Sequence, residues 1–254
     1  MIENSIYYRG YYKEKSFSSN TISLILLELL KNGVTYPMNY DLSNHKEMKI
    51  YDGNNLSNEW YEYIKNFDIV NKSCMLKNKK KQVFAVGRNR WGNDHMNFYF
   101  TNIDVFPNNQ IIINENLNIS FLINSEYNFL QSTDNPQTYD FYKIKYDKSK
   151  LYFNENIQME LLDISKNVGR VRHLEKFDFY PAYKIWFGKE AQYLFGKEKI
   201  LNFTEAIYVK ELPNGIIEMQ LMDDIMKPHL LYNQEKQRKI IEYLEVDKLE
   251  IKRY

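Results

Sequence analysis

The run Ile22-Ser23-Leu24-Ile25-Leu26-Leu27-Glu28-Leu29-Leu30 sets the first constraint on the fold. Wound as a helix, it presents apolar side chains on nearly every side, so more than one side is expected to be covered. Asn20 is placed to cap that helix, which runs from Thr21 to about Lys31 and closes at Gly33. The run is too short to cross a bilayer and carries a glutamate. Glu3 and Glu14 precede it and no small-residue cleavage site follows, so it does not read as a secretion signal. The expectation is a cytoplasmic protein with no membrane association.

Strand signals surround this helix. Ile6 to Lys13, IYYRGYYK, has the aromatics of a first strand. A second helix, Ser57 to Lys65, puts Trp60, Tyr61 and Ile64 on one face. From Cys74 to about Ser125 the pattern changes to short strands. SCMLKNKKKQVFAVGR reads as a hairpin with Lys79, Lys80 and Lys81 at its tip, and MNFYFTN and NISFLINS continue the sheet. Beyond Asp134-Asn135-Pro136, Asp140 to Tyr146 and Leu151 to Phe153 read as strands and IQMELLDIS as a short helix. FDFYPAYKIWF reads as a strand confined to an edge or bulge by Pro181. AIYVKELPNGIIEMQLM is the clearest hairpin, with Pro213-Asn214-Gly215 as its turn and Ile217, Met219 and Leu221 on one face. A last helix, about Gln234 to Glu245, is capped by Asn233 and buries Ile240, Ile241 and Leu244. Strands interleaved with helices, without regular alternation, predict an α+β fold with a mixed, mostly antiparallel sheet and helices packed on it. The 254 residues are read as one domain, with a subdomain split near residue 135 as the alternative.

Composition excludes several classes. Net charge is +1, so no strong field argues for nucleic acid or an anionic membrane. A single cysteine, Cys74, excludes an internal disulfide and a cysteine-rich metal site, and reads as a buried inert thiol. His45, His95, His173 and His229 show no metal-ligand spacing, so neither metal nor cofactor is expected. Glu250-Ile251-Lys252 has the ExK form of some nucleases, with Asp223 or Asp224 as the upstream carboxylate, but it lies in the last residues rather than on a central strand. WFGKEAQYLFGKEKI resembles a phosphate loop only superficially. Gly188 and Gly196 are wrongly spaced, and Glu190 and Glu198 stand where a hydroxyl is needed. The two glycines instead bracket a short helix, Lys189 to Phe195, with Ala191, Leu194 and Phe195 toward the core.

Three groups of residues are candidates for function. GRNRWGNDH offers Arg88 and Arg90 to clamp an anion, Trp91 to stack a base, and His95; the alternative is a polar hairpin connection. Arg170, Arg172 and His173 form a basic cluster that reads most simply as a solvated strand edge. Toward the C-terminus Glu211, Glu218, Asp223, Asp224, Glu242, Glu245 and Asp247 could face a basic partner or be ordinary solvated positions.

Two stretches resemble immunity proteins of bacterial polymorphic toxin systems. YYRGYYKEKSFSSNTISLILLELLKN is similar to that group's tyrosine-rich first strand leading into a long apolar helix. Tyr12 and Lys13 replace the Trp-containing strand end found there. The stretch from WFGKEAQYLFGKEKILNF through AIYVKELPNGIIEMQLMDDIMKPHLLYNQEKQRKIIEYLEVDKLE has the same order of short helix, hairpin, acidic segment and closing helix. The resemblance covers roughly the first thirty and last seventy residues. It implies a non-enzymatic antidote that occludes or distorts the active site of a cognate toxin, often nuclease-like. The residues expected to meet that partner are Trp186, Tyr193, Glu218, Asp223 and Asp224. An anion- or nucleic-acid-binding enzyme or processing factor built on residues 87–95, and a structural or mobile-element accessory protein, are the competing expectations.

Overall fold

A computed structural model describes residues 5–31, 38–40, 47–65, 74–78, 83–88, 93–100 and 112–251. Ten strands make one continuous sheet: β1 (Ile6–Tyr12), β2 (Met38–Tyr40), β3 (Glu47–Met48), β4 (Cys74–Asn78), β5 (Val83–Arg88), β6 (Asp94–Phe100), β7 (Leu117–Asn124), β8 (Lys184–Phe187), β9 (Tyr208–Glu211) and β10 (Ile217–Gln220). Their spatial order is β9-β10-β8-β7-β1-β6-β5-β4-β2-β3, and every pairing is antiparallel. Together with the helices this is the α+β architecture expected from the sequence.

The sheet has an internal order. β7 pairs with β1 on one side and β8 on the other, both antiparallel, so β1 and β8 run the same way. Each then meets the second strand of a following hairpin, giving β1-β6-β5 on one side and β8-β10-β9 on the other. The helices that follow the two strands lie on opposite faces. α1 (Ser19–Lys31) and α2 (Asn58–Lys65) bury Ile22, Ile25, Leu26, Trp60 and Ile64 against Tyr8, Tyr12, Phe84, Met96 and Phe98. α5 (Lys189–Phe195), α6 (Lys197–Leu201) and α7 (Leu231–Tyr243) bury Phe195, Ile200, Ile240 and Ile241 against Ile185, Phe187, Ile217 and Met219 on the other face. A half-turn about the β7 axis relates the two halves in topology. β7, covered by both clusters, is buried at all eight positions.

Two glycines make the central strands fit. On β1, the hydroxyls of Tyr8 and Tyr12 meet at 2.8 Å across Gly10, and a Cβ there would sit 2.7 Å from both the Tyr12 ring carbon Cε2 and the Tyr8 hydroxyl oxygen. The spacing Tyr-x-Gly-x-Tyr thus lets two large rings close over one strand position. After β8, Gly188 donates its N–H to the Asn118 carbonyl at 3.0 Å, and an added Cβ would lie 1.7 Å from the Leu117 carbonyl oxygen. Backbone cannot yield to that contact cheaply.

Several local expectations are corrected. α1 is capped by Ser18, whose hydroxyl accepts from Thr21 N–H at 3.1 Å, rather than by Asn20. Its Leu24 is 53% exposed, so one side faces solvent. Tyr61 is 50% exposed, leaving Trp60 and Ile64 as the buried face of α2. Asp140 to Tyr146 is not a strand: Asn135 caps α4 (Pro136–Tyr142), with its side chain accepting from Gln137 N–H and proline in the first turn. IQMELLDIS is not a helix: Met159–Leu162 pairs with Leu151–Asn154 as a separate hairpin. FDFYPAYKIWF is two strands, Asp178–Phe179 and β8, and β8 lies inside the sheet rather than at its edge. Leu194 is 40% exposed instead of facing the core. α7 starts at Leu231, so Asn233 is inside it and buried rather than at its cap. Gly33 and the Lys79–Lys81 tip lie outside the described residues.

Gly188→Ala is expected to destabilise the protein by about 3 kcal/mol or more through overpacking against the β7 backbone. Urea denaturation followed by tryptophan fluorescence checks this; an unchanged midpoint contradicts the packing described.

Candidate functional site

The residues singled out from the sequence fall into separate environments. Trp186 and Glu218 face each other across β8 and β10 and are only 3% and 5% exposed. The Trp186 indole donates to Glu218 Oε2 at 2.8 Å, and Tyr208 donates to Oε1 at 2.5 Å. Lys210 lies 3.2 Å from the same carboxylate and Lys184 3.7 Å, with Lys184 also over the faces of Trp186 and Tyr208. Burial alone pushes the Glu218 carboxyl up, but the two hydrogen bonds and the lysines outweigh it and hold the carboxyl below its usual range. This is an internal clamp joining three strands, not an available contact surface. Asp224 accepts from Met226 N–H at 2.8 Å and pairs with Lys227, fixing a turn, while Asp223 is exposed. Tyr193, on α5, is 87% exposed.

Arg88 and His95 lie on opposite faces of the sheet, because Arg88 is paired with Asp94 and Gly87 with His95. Arg88 Nε donates to the fully buried Asp94 at 3.0 Å, and Nη1 reaches Glu14 at 3.2 Å. Its charge is therefore engaged within the chain. Arg90 and Trp91 lie outside the described residues.

His95, opposite Tyr11, lies instead beside a polar network over β1 whose charges reach it. Arg9 donates to the hydroxyls of Tyr11 at 2.7 Å and Tyr7 at 2.9 Å, and Tyr11 donates to Asp178 at 2.7 Å. The other Asp178 oxygen lies 2.7 Å from His173 Nδ1. Burial of Asp178 opposes ionisation, yet the bonds from His173 and Tyr11 and the Arg9 charge keep its carboxyl below the ordinary range. Burial, then the Arg9 charge, push the His95 imidazole down to about 4 against the opposing pull of Asp178.

Arg170 and Arg172 are not a solvated edge. Arg170 pairs with both oxygens of Glu250, and the buried Arg172 donates to Asp247 at 3.1 Å and to the Val168 carbonyl at 2.7 Å. Glu250 of the ExK sequence is thereby consumed in a bidentate ion pair. Ile251 N–H also donates to the His173 carbonyl at 2.8 Å, so the chain end is laid across residues 170–173.

Two hollows flank this laid-down segment. One is a groove of about 210 Å³ lined by Leu174, Phe177, Leu194, Leu249 and Tyr193, with the Lys176–Glu190 ion pair at its rim. The other is a larger, more polar cleft of about 530 Å³ whose lining includes Asp134, Tyr152, Asp163, Arg170, His173 and Glu250. Consecutive residues serve different hollows: His173 and Glu250 line the cleft, Leu174 and Leu249 the groove. Leu249 and Ile251 are themselves exposed, adding apolar surface along the shared ridge. In the sequence Tyr193 stands out as a contact residue, whereas Arg170 and His173 read as a solvated edge and Glu250 as part of an ExK ending; the ridge they build is not visible there because it is made by ion pairs between residues about eighty positions apart.

Cys74 is buried and its thiol is pushed up to about 12, an inert packing residue. Among the described residues no group of three or more His, Cys, Asp or Glu could hold a metal ion, and no helix is long and apolar enough to cross a membrane. No protein-family model matches this chain, and no curated protein matches it.

Two outcomes follow from these environments. Glu218→Gln is expected to lower stability by about 1–3 kcal/mol, since it leaves lysines without their buried counter-charge, whereas Tyr193→Ala changes stability by no more than about 0.5 kcal/mol. Chemical denaturation of both variants checks this ordering. The second concerns pH. The folded His95 pKa, about 4, lies below its ordinary value of 6.5, so the unfolded chain takes up a proton first. Stability present above pH 6.5 is then lost as pH falls toward about 4, with a slope of at most ~1.4 kcal/mol per pH unit from this group. Measured against pH, the stability of His95→Gln should fall less steeply than that of the native protein across this window; parallel curves contradict the assignment.

Proposed function

We propose that this chain is a non-enzymatic binding protein of the immunity type, which neutralises a cognate bacterial toxin in the cytoplasm by covering its active site. The observation that carries the reading is the exposed Tyr193 standing over an apolar groove beside a larger cleft. A mostly exposed tyrosine with apolar neighbours gives a partner a large anchor at little entropic cost. One wall of the groove, Glu190, Tyr193, Leu194 and Leu249, comes from the C-terminal stretch that resembles immunity proteins, while the other, residues 174–177, lies outside it. Trp186 and Glu218 support this face from within by locking β8 to β10, the strand pair from which α5 departs. Asp223, exposed after β10, can add charge at a rim but not at the groove itself. The engagement of Arg88 by Asp94 and Glu14 favours this reading over an anion clamp in residues 87–95.

Co-expression with the toxin domain encoded by the adjacent gene tests the proposal. The native chain should restore growth and co-purify with that domain. Tyr193→Ala should weaken the complex at least tenfold, about 1.4 kcal/mol, while Tyr61→Ala on α2 leaves it unchanged. No rescue and no complex, or a complex indifferent to Tyr193, overturns it.

A further inference from the structure

We infer that two copies of this chain associate through the free edge of the Leu151–Asn154 strand, which pairs antiparallel with itself about a two-fold axis at Phe153. The inference goes beyond the role proposed above and does not depend on it. The hairpin of Leu151–Asn154 and Met159–Leu162 is a sheet of its own, two strands wide. Such a sheet is marginal in water unless something adds to it.

Backbone directions decide which of its groups are open. Asp163 donates its N–H to the Lys150 carbonyl at 2.8 Å, so these two residues form a hydrogen-bonded pair that continues the register. Bonded and non-bonded pairs alternate in an antiparallel ladder, which makes Tyr152–Leu161 and Asn154–Met159 the bonded ones. The backbone groups of Leu151, Phe153, Glu160 and Leu162 therefore point away from the facing strand. On the Met159–Leu162 side that edge is partly covered, because Leu162 N–H donates to the Asp134 carbonyl at 2.7 Å. On the other side the Leu151 N–H closes the preceding turn on the Lys148 carbonyl. The Leu151 carbonyl and both backbone groups of Phe153 meet no partner among the described residues.

A second copy supplies what is missing. With Phe153 opposite its own counterpart, the two residues exchange both N–H···O bonds, and each Leu151 carbonyl faces the N–H of Glu155 across the axis. Tyr152 then stands opposite Asn154 and Lys150 opposite Asn156, so no like charges meet. Phe153 is 57% exposed, and pairing lays its ring against its counterpart, covering apolar surface that a single chain leaves to water. A two-fold contact of this kind closes on itself at two copies. The edges of the large sheet are unlike it: β9 ends in the exposed charges Lys210 and Glu211, and β3 is two residues long.

Sedimentation velocity of the full chain, from micromolar concentration to about 1 mM, tests this. An interface built on a strand of four residues lies below the ~1,200 Å² of stable complexes, so a concentration-dependent equilibrium of monomer and dimer is expected. Phe153→Pro removes the outward N–H without touching a bond inside the hairpin, and Phe153→Lys sets two like charges against each other. Each should raise the dissociation constant at least about tenfold, with an unchanged melting temperature showing that the fold is intact. Leu231→Lys, at an exposed position on α7, should dimerise as the native chain does. In the native chain, amide exchange at Phe153 should slow as concentration rises, while Tyr152, bonded within the hairpin, should not respond. A monomer at every concentration, a dimer that survives both substitutions at Phe153, or Phe153 exchange indifferent to concentration overturns the inference.

Discussion

Everything in this fold hangs on β7 being buried from both sides. A central antiparallel strand with all eight positions covered cannot leave one sheet face to solvent, as many antiparallel sheets do. Both faces must carry helices, and the chain achieves this by sending α1 to one face after β1 and α5 to the other after β8. The polar groups that β7 must bury are given partners. Asn118 donates to Asn93, and Asn124 accepts from Tyr127 to start α3 (Ser125–Ser132). Gly188 keeps α5 tight against the end of β7, which positions Tyr193 one turn later.

Much of this was legible where the signal is local. The apolar run of α1, the hairpin around Gly215 and the Lys189–Phe195 helix between two glycines all follow from periodicity and turn chemistry over a few residues. Failures came where a local signal had two meanings. Asp140 to Tyr146, just beyond Asn135-Pro136, reads as a strand by its aromatics, although Asn followed by Pro is a helix cap and first turn. MELL alternates too weakly to separate helix from strand, and its pairing with LYFN decided it.

The site was legible only at Tyr193. Exposure of one aromatic on a helix can be guessed from the pattern of α5, but burial of Trp186 and Glu218 depends on their facing one another across strands thirty-two residues apart. Charge in the sequence misled for the same reason. Arg170, Arg172, Asp247 and Glu250 look like solvated residues in two unrelated segments; in space they neutralise one another and pin the chain end against His173.

A rigid, doubly covered sheet thus carries two hollows separated by a ridge where the C-terminal segment crosses residues 170–174. Hydroxyl-radical footprinting of a complex with the proposed toxin partner tests most directly whether that surface is the docking face. Oxidation of Tyr193, Leu249 and Tyr152 is expected to be suppressed together on complex formation, while Phe141 and Leu231, both more exposed than Leu249 and Tyr152 in the free chain, stay reactive. Suppression at Phe141 or Leu231 with Tyr193 and Tyr152 still reactive would contradict it.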